Sequence, residues 1–299
     1  MYEEFYGLTE KPFSIQPDPD FLYFGKRHSL AYSMLEYSVE NRAGFSVITG
    51  EIGSGKTTLV SHLLNNLPQT TTVGLISNTH PDIANLLEWV MLSFDQPYDG
   101  LSQVALYHAF QNFLIGEYSK GHPVILVVDE AQNLSLASLE ALRMFSNINM
   151  NKHQLLQIIL VGQPELRDIL RRPELKQFVQ RVAVDFHITA LTQAESELYI
   201  IHRLAVAGRK AQLFSHEASL WISMVSKGIP RSINILCDTA LVYGFSMGVD
   251  RIDVEIVKEV LRDKAKFGVF LADDDPDVDG AKDETDQSSN YTNIIERSF

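Results

Sequence analysis

The chain has 299 residues, 45% of them apolar, enough to bury one large core or two modest ones. A formal net charge of −13 speaks against a broadly basic nucleic-acid surface and against direct attraction to anionic lipid. One cysteine, Cys237, excludes an internal disulfide and a cysteine-built metal cluster, and its helical surroundings SINILCDTALVYG mark it as a small buried hydrophobe. The start MYEEFYGL lacks the basic and apolar regions of a secretion signal, and no apolar run is long enough to cross a membrane, so a cytoplasmic protein is expected.

The opening segment, with EKPFSIQPDPDFLYF, is rich in Pro and aromatics and reads as an ordered, non-regular lead-in packed on the main domain. Apolar residues then recur at helical spacing from His28 to Asn41. Strand and helix signals alternate after that: FSVIT strand, KTTLVSHLLNN helix, TTVGLIS strand, PDIANLLEWVMLSF and SQVALYHAFQNFLIGEYS helices, PVILVVD strand, SLASLEALRMFSNI helix, LLQIILVG strand. A fifth strand, VAVDFHI, follows a short helical piece from Pro164 to Gln180. Apolar strands separated by helices predict an α/β fold with a mostly parallel five-stranded sheet covered on both faces. Only helices follow, at Thr192 to Ala207, His216 to Ser226, Pro230 to Met247 and Asp253 to Lys264. The expected division is an α/β domain with the lead-in over 1–190, a small all-helical domain over 191–269 and an acidic tail over 270–299. The tail, with DDDPDVDGAKDETDQSSN, has too little to bury to repay its ordering entropy and reads as disordered. It holds about half of the net negative charge, so the remaining chain is less acidic than the total implies.

Directly behind the first strand, GEIGSGKT fits the phosphate-cradling pattern G-x-x-x-x-G-K-[ST]. Gly50, Gly53 and Gly55 let the backbone curl and aim N–H groups at phosphate oxygens. Lys56 can then reach the β and γ phosphates, and the Thr57 hydroxyl can ligate Mg²⁺. The candidate nucleotide contacts are Gly50, Glu51, Ile52, Gly53, Ser54, Gly55, Lys56, Thr57 and Thr58.

PVILVVDEAQNL places two carboxylates at the end of a buried strand: Asp129 as a Mg²⁺ ligand through its water shell, Glu130 as the group that polarises an attacking water. Ligands of open α/β sheets bind at that edge. The strand LLQIILVG runs into Gln163; if it is inserted between the first and third strands, Gln163 lies between the γ-phosphate and Glu130 and senses the phosphate. Otherwise Gln163 is an ordinary helix N-terminal residue before Pro164. Asn78, ending TTVGLISN, is a weaker candidate for holding Glu130 off the water, since turn-forming Asn is common there.

Phosphoryl transfer depends on stabilising charge on the transferring group, so arginines matter. RRPELKQFVQR offers Arg171, Arg172 and Arg181. Arg181 immediately precedes the fifth strand, a place that faces a neighbouring subunit in ring-forming ATPases, and is the leading candidate for a finger acting in trans; a solvated helix charge is the alternative for all three. GIPRSINIL puts Arg231 in the first turn of a helix, where a cation is unfavourable unless something anionic faces it; a bound nucleotide would meet that need, which makes Arg231 a further candidate nucleotide contact.

Together these residues resemble those of an AAA+ ATPase, with GEIGSGKT as Walker A, VILVVDEAQ as Walker B, Gln163 as sensor 1 and GIPR around Arg231 as sensor 2. More narrowly, FYGLTEKPFSIQPDPDFLY with TGEIGSGKTTL, DEAQNLS and LVGQPEL resembles the ExeA/GspA-type ATPases of general secretion, pilus-assembly and exopolysaccharide systems, over about Met1 to Lys266. The resemblance implies a P-loop NTPase fold with a helical lid domain and Mg-dependent ATP hydrolysis, with ATP and Mg²⁺ as cofactors. It implies catalytic roles for Glu130, Lys56, Gln163, Arg181 and Arg231, and metal ligation by Thr57 and Asp129. It further implies a homo-oligomer, a ring in some members, with the site at a subunit interface, and adenine contacts from the lead-in near Tyr23 to His28.

Secretion members typically continue into a transmembrane helix and a peptidoglycan-binding domain, whereas this chain ends in its acidic tail. Contact with the envelope is therefore expected through a separate membrane protein partner, which would hold the chain peripherally at the inner membrane. The tail or its apolar end YTNIIERSF is a candidate docking segment, with disorder the favoured reading of that end. The alternative function is DNA-associated: related AAA+ ATPases assist transposition on DNA, and a basic pore built from several subunits would reconcile that with the acidity.

Overall fold

Long apolar strands alternating with capped helices give, in chain order, α1 (Lys26–Glu40), β1 (Phe45–Gly50), α2 (Lys56–Asn65), β2 (Thr72–Ile76), α3 (Leu86–Ser93), α4 (Gln103–Ser119), β3 (Val124–Val128) and α5 (Leu136–Phe145). There follow β4 (Asn149–Met150), β5 (His153–Gln154), β6 (Leu156–Gly162), α6 (Glu165–Leu170), α7 (Lys176–Val179), β7 (Val182–Ile188), α8 (Gln193–Val206), α9 (His216–Val225), α10 (Pro230–Met247) and α11 (Val254–Phe267). The computed structural model describes residues 1–77, 85–150 and 153–267. Asn78 and the acidic tail with YTNIIERSF lie outside the described residues. The chain divides into two units, Met1–Val257 and Lys258–Phe299; of the second, the C-terminal portion of α11 is described.

β2, β3, β6, β1 and β7 form one sheet in that order, and every pairing is parallel. Parallel strands need crossovers, and these cover both faces with helices. Successive residues of β3 therefore enter different cores. Val124, Leu126 and Val128 join Val90, Phe110 and Leu139 of α3, α4 and α5 on one face. Ile125 and Val127 join Leu35, Leu59 and Leu63 of α1 and α2 on the other. β6 lies between the first and third strands, with Val47 beside Leu160 and Val127 beside Ile159. The antiparallel pair β4–β5 was not foreseen; NINMNKHQ has no alternating apolar signal to announce it.

Local chemistry sets the helix ends. Ser102, Ser135 and Ser215 cap α4, α5 and α9 through their hydroxyls, and Thr192 with Glu195 forms a reciprocal capping box on α8. α10 starts on Pro230, whose missing N–H costs nothing there, and stops at Gly248 in the left-handed region.

The lead-in is ordered and buries Tyr2, Tyr6, Leu8, Phe13, Phe21 and Leu22, but its first half packs on the helices after β7 rather than on the main α/β domain. The Tyr2 hydroxyl donates to the Asp238 carboxylate, the Thr9 N–H to the Ala207 carbonyl at 2.9 Å, and Phe13 meets Phe214 edge-on at 5.9 Å. The buried Arg203 guanidinium donates to the carbonyls of Pro12 at 2.6 Å and Ser14 at 3.3 Å, and lies 4.5 Å above the Phe21 ring. An irregular segment has no repeating face, so its sequence carries no sign of the surface it covers.

At the amino end of the sheet, Glu117 of α4 accepts from the Thr72 hydroxyl at 2.6 Å and from Lys120 at 2.7 Å, and faces His122 at 3.1 Å. Lys120 first, then Thr72 and His122, outweigh burial and hold its carboxyl at about 2. A carboxyl lowered in the folded state stabilises above its unfolded value and loses that contribution as pH falls through the folded one. Between about pH 5 and pH 2, urea midpoints should show the wild-type chain losing about 1–2 kcal/mol more than Glu117→Gln; parallel acid profiles would refute the assignment.

Candidate functional site

The site begins where β1 stops. After Gly50 the chain turns through Gly53 and Gly55, with φ of +79° and +92°, values that L side chains rarely adopt. Helix α2 then starts at Lys56 with no side chain capping it, so the partial positive charge of its first turn faces the loop. The loop carbonyls point the other way and find donors in the protein. The Lys56 ammonium donates to Gly50 at 2.8 Å and Glu51 at 2.9 Å, the Arg231 N–H to Gly53 at 3.1 Å, and the His28 ring to Ser54 at 2.9 Å. Lys56 is 6% exposed. Burial pushes its ammonium below the ordinary lysine value, against the opposing charges of Glu130, Asp129, Glu51 and Glu165.

The acidic pair stands opposite. The Asp129 N–H donates to the Ile76 carbonyl at 2.9 Å, which extends the sheet ladder by one step. One Asp129 oxygen accepts from the Thr57 hydroxyl at 2.8 Å and the other from the Glu130 N–H at 2.8 Å. Glu130 has a positive φ of 50°, a value uncommon for a residue other than glycine. Gln163 donates to a Glu130 oxygen at 3.0 Å, and Gln132 donates to the same oxygen at 2.5 Å. Gln132 also accepts from the Gln163 N–H at 3.0 Å. Burial raises the Glu130 carboxyl, but the two amides and the Lys56 charge outweigh it and leave it below the usual range.

The structure thus brings Lys56, Thr57, Asp129, Glu130 and Gln163 together at one sheet edge. Sequence reasoning missed Gln132, whose signal was a further polar residue directly after the two carboxylates, and assigned no role to His28 on the loop. The contact between Thr57 and Asp129 fits a hard cation, because both donors are oxygen. No cluster of three His, Cys, Asp or Glu occurs among the described residues, so such an ion would complete its shell with ligand and water oxygens.

A cleft opens beside the loop, with Tyr23, His28, Tyr199, Arg231 and Asn234 in its wall. Arg231 reaches it from the first turn of α10 and is exposed. Arg181 does not: it precedes β7 beside Phe45, at the amino end of β1, and donates to the Ser146 hydroxyl at 3.2 Å. The length of β1 puts it roughly 20 Å from its own loop. Arg171 pairs with Asp168 at 3.3 Å in solvent, and Arg172 is exposed.

Residues 39–170 match the family described as AAA domain. The general secretion pathway protein A of Aeromonas hydrophila is 38% identical over 255 residues, 84% of this chain and 46% of that protein. The chain therefore spans about half the length of the curated relative it matches. Among solved structures, Aeropyrum pernix ORC2 in its ADPNP–ADP complexes superposes with a TM-score of 0.61 at 16% identity, over 83% of this chain and 72% of that one. Drosophila ORC bound to DNA gives 0.61 at 14%, over 87% and 65%, and the Thermotoga maritima RuvB branch-migration motor 0.53 at 18%, over 85% and 73%. At these identities the structures establish a shared fold.

The joint between α10 and the loop is testable. A Cβ on Gly53 would lie 2.4 Å from the Arg231 Cβ, whereas one on Gly248, also at positive φ, meets nothing within 4 Å. Gly53→Ala should cost about 2–3 kcal/mol and Gly248→Ala about 1 kcal/mol in urea unfolding. Equal costs would mean that the joint is loose.

Proposed function

Because the chain belongs to the ExeA/GspA-like AAA+ ATPases, we propose that it is a Mg-dependent ATP hydrolase working as a homo-oligomer on the cytoplasmic side of a cell envelope. The observation that carries the reading is the continuous contact from Thr57 through Asp129 and Glu130 to Gln163 at the mouth of the phosphate loop.

Each side chain has a role that its position supports. The loop from Gly50 to Thr58 cradles the phosphates, and Lys56 exchanges the carbonyls of Gly50 and Glu51 for phosphate oxygens. Thr57 and Asp129 hold Mg²⁺, which neutralises phosphate charge when bound. Glu130 accepts a proton from the attacking water, its low carboxyl value keeping it ionised at neutral pH. Gln163, touching Glu130 and following β6, senses the terminal phosphate. Arg231 meets the nucleotide from the helical segment 191–269, which acts as a lid. Arg181, roughly a strand's length from its own loop, serves the site of a neighbouring subunit and leaves Ser146 to do so.

The name of the Aeromonas relative supports a secretion task. Assembly or regulation of a secretion, pilus or polysaccharide-export machine is the proposed work, in contact with a membrane protein of that machine. No helix among the described residues is long and apolar enough to cross a membrane.

Glu130→Gln should lower ATP turnover by about 100-fold or more while ATP still binds; unchanged turnover would remove Glu130 from the chemistry. Arg181→Ala and Lys56→Ala chains should each be inactive, and mixing them should restore turnover at interfaces that join an intact loop to an intact arginine. No recovery in an oligomer shown to contain both chains would defeat action in trans.

A further inference from the structure

We infer that His28 is a positioning residue for the phosphate loop, holding the Ser54 carbonyl so that the loop keeps its binding shape. The inference rests on the reading of that loop as a triphosphate site.

His28 lies in the first turn of α1 and is 4% exposed. Its Nε2 stands 2.9 Å from the Ser54 carbonyl oxygen. A carbonyl only accepts, so Nε2 carries the hydrogen. The other ring nitrogen, Nδ1, is buried and has no hydrogen-bond partner. Burial lowers the affinity of the ring for a proton, and a second ring proton would face no acceptor. The ring is therefore neutral, with its single donor spent on the loop. It also sits against Gly55, where a Cβ would come within 3.3 Å of Nε2. His28 thus fills the space behind the turn as well as satisfying a carbonyl in it.

The ring is aimed by the helix it stands on. Gly25 at the head of α1 has no side chain to cap it. A Glu195 oxygen from α8 accepts from the Lys26 N–H at 3.2 Å instead, while its other oxygen takes the Thr192 N–H and hydroxyl at 3.0 and 2.9 Å. One carboxylate ties the start of α1 to the start of α8, and His28 carries that fixed point to Ser54. Losing the donor would leave a loop carbonyl without its partner and free the turn to sample shapes that bind phosphate poorly.

The two amide side chains separate this role from simple filling. The glutamine amide nitrogen can take the place of Nε2, whereas that of asparagine reaches only the place of Nδ1. The dissociation constants of ATP and of inorganic tripolyphosphate, measured at a temperature where circular dichroism shows every variant folded, give the test. His28→Asn should weaken both ligands by the same factor, about tenfold; His28→Gln should stay within about threefold of wild type. Asparagine binding as well as wild type, or glutamine as poorly as asparagine, would overturn the inference. So would a loss confined to ATP, which would put His28 on the base or sugar. A wild-type chain that binds neither ligand would instead bring down the triphosphate reading and this inference with it.

Discussion

A loop that turns its N–H groups toward a ligand must turn its carbonyls toward the protein, and each buried carbonyl then needs a donor. In this chain the donors come from distant parts of the sequence. Lys56 closes the loop on itself through Gly50 and Glu51. The backbone of Arg231, from the far side of the sheet domain in sequence, takes Gly53, and His28 takes Ser54. Glycines make the curve sterically accessible, but they do not hold it. The loop has its shape only when α1 and the head of α10 are both docked, so whatever shifts α10 also shifts the group that would bind phosphate. That is the physical basis for linking occupancy of the site to the attitude of the helices, since a ligand moves an equilibrium only by its unequal affinity for the two arrangements.

The strand order does the same for the acidic edge. With β6 between β3 and β1, the residues after β3 and after β6 emerge side by side, and Gln163 meets Glu130. Gly162 completes the arrangement: a Cβ there would lie 2.9 Å from the Gln132 oxygen that accepts from the Gln163 N–H. A small residue at the end of β6 is what lets Gln132 sit under Gln163 and share Glu130 with it. The carboxylate is held in place by two amides from separate elements, so its orientation follows the sheet rather than its own rotamer freedom.

Much of the scaffold was legible because its signals are local. Strands buried on both faces read as unbroken apolar runs, as in VILVV and LQIILVG, and α10 announces both ends with Pro230 and Gly248. The phosphate loop is a contiguous pattern whose chemistry follows from residue type. What escaped depends on contacts across the chain. Arg203 meets Pro12 across 191 positions, and nothing in PFSIQPDPDF says that α8 is what it covers. His28 looks like one polar position on an amphipathic helix until the fold sets it behind Ser54. The β4–β5 pair, two residues per strand, is too short to leave a period.

The lead-in joins these two kinds of information. Its first half is fastened to α8 and α10 by Arg203 and by Asn234, which also donates to the Ser14 carbonyl at 3.1 Å. Its last residues run into α1, whose head is held by Glu195 of α8. Tyr199 donates to Asn234 at 2.8 Å and accepts from Arg203 at 3.3 Å, so the buried guanidinium is embedded in a network rather than left as a bare charge. The lead-in, α8 and α10 are therefore one mechanical assembly, tied through Glu195 to the head of α1, that forms a wall of the cleft and the support of the loop. A lid that moved as α8–α10 alone would have to break the Arg203 and Glu195 contacts. A lid that carried the lead-in with it would keep the Arg203 contacts and give up the Glu195 bond to Lys26, bending the chain between Tyr23 and α1. The second motion breaks fewer buried bonds, so the lead-in belongs mechanically to the helices even though it precedes the sheet in sequence.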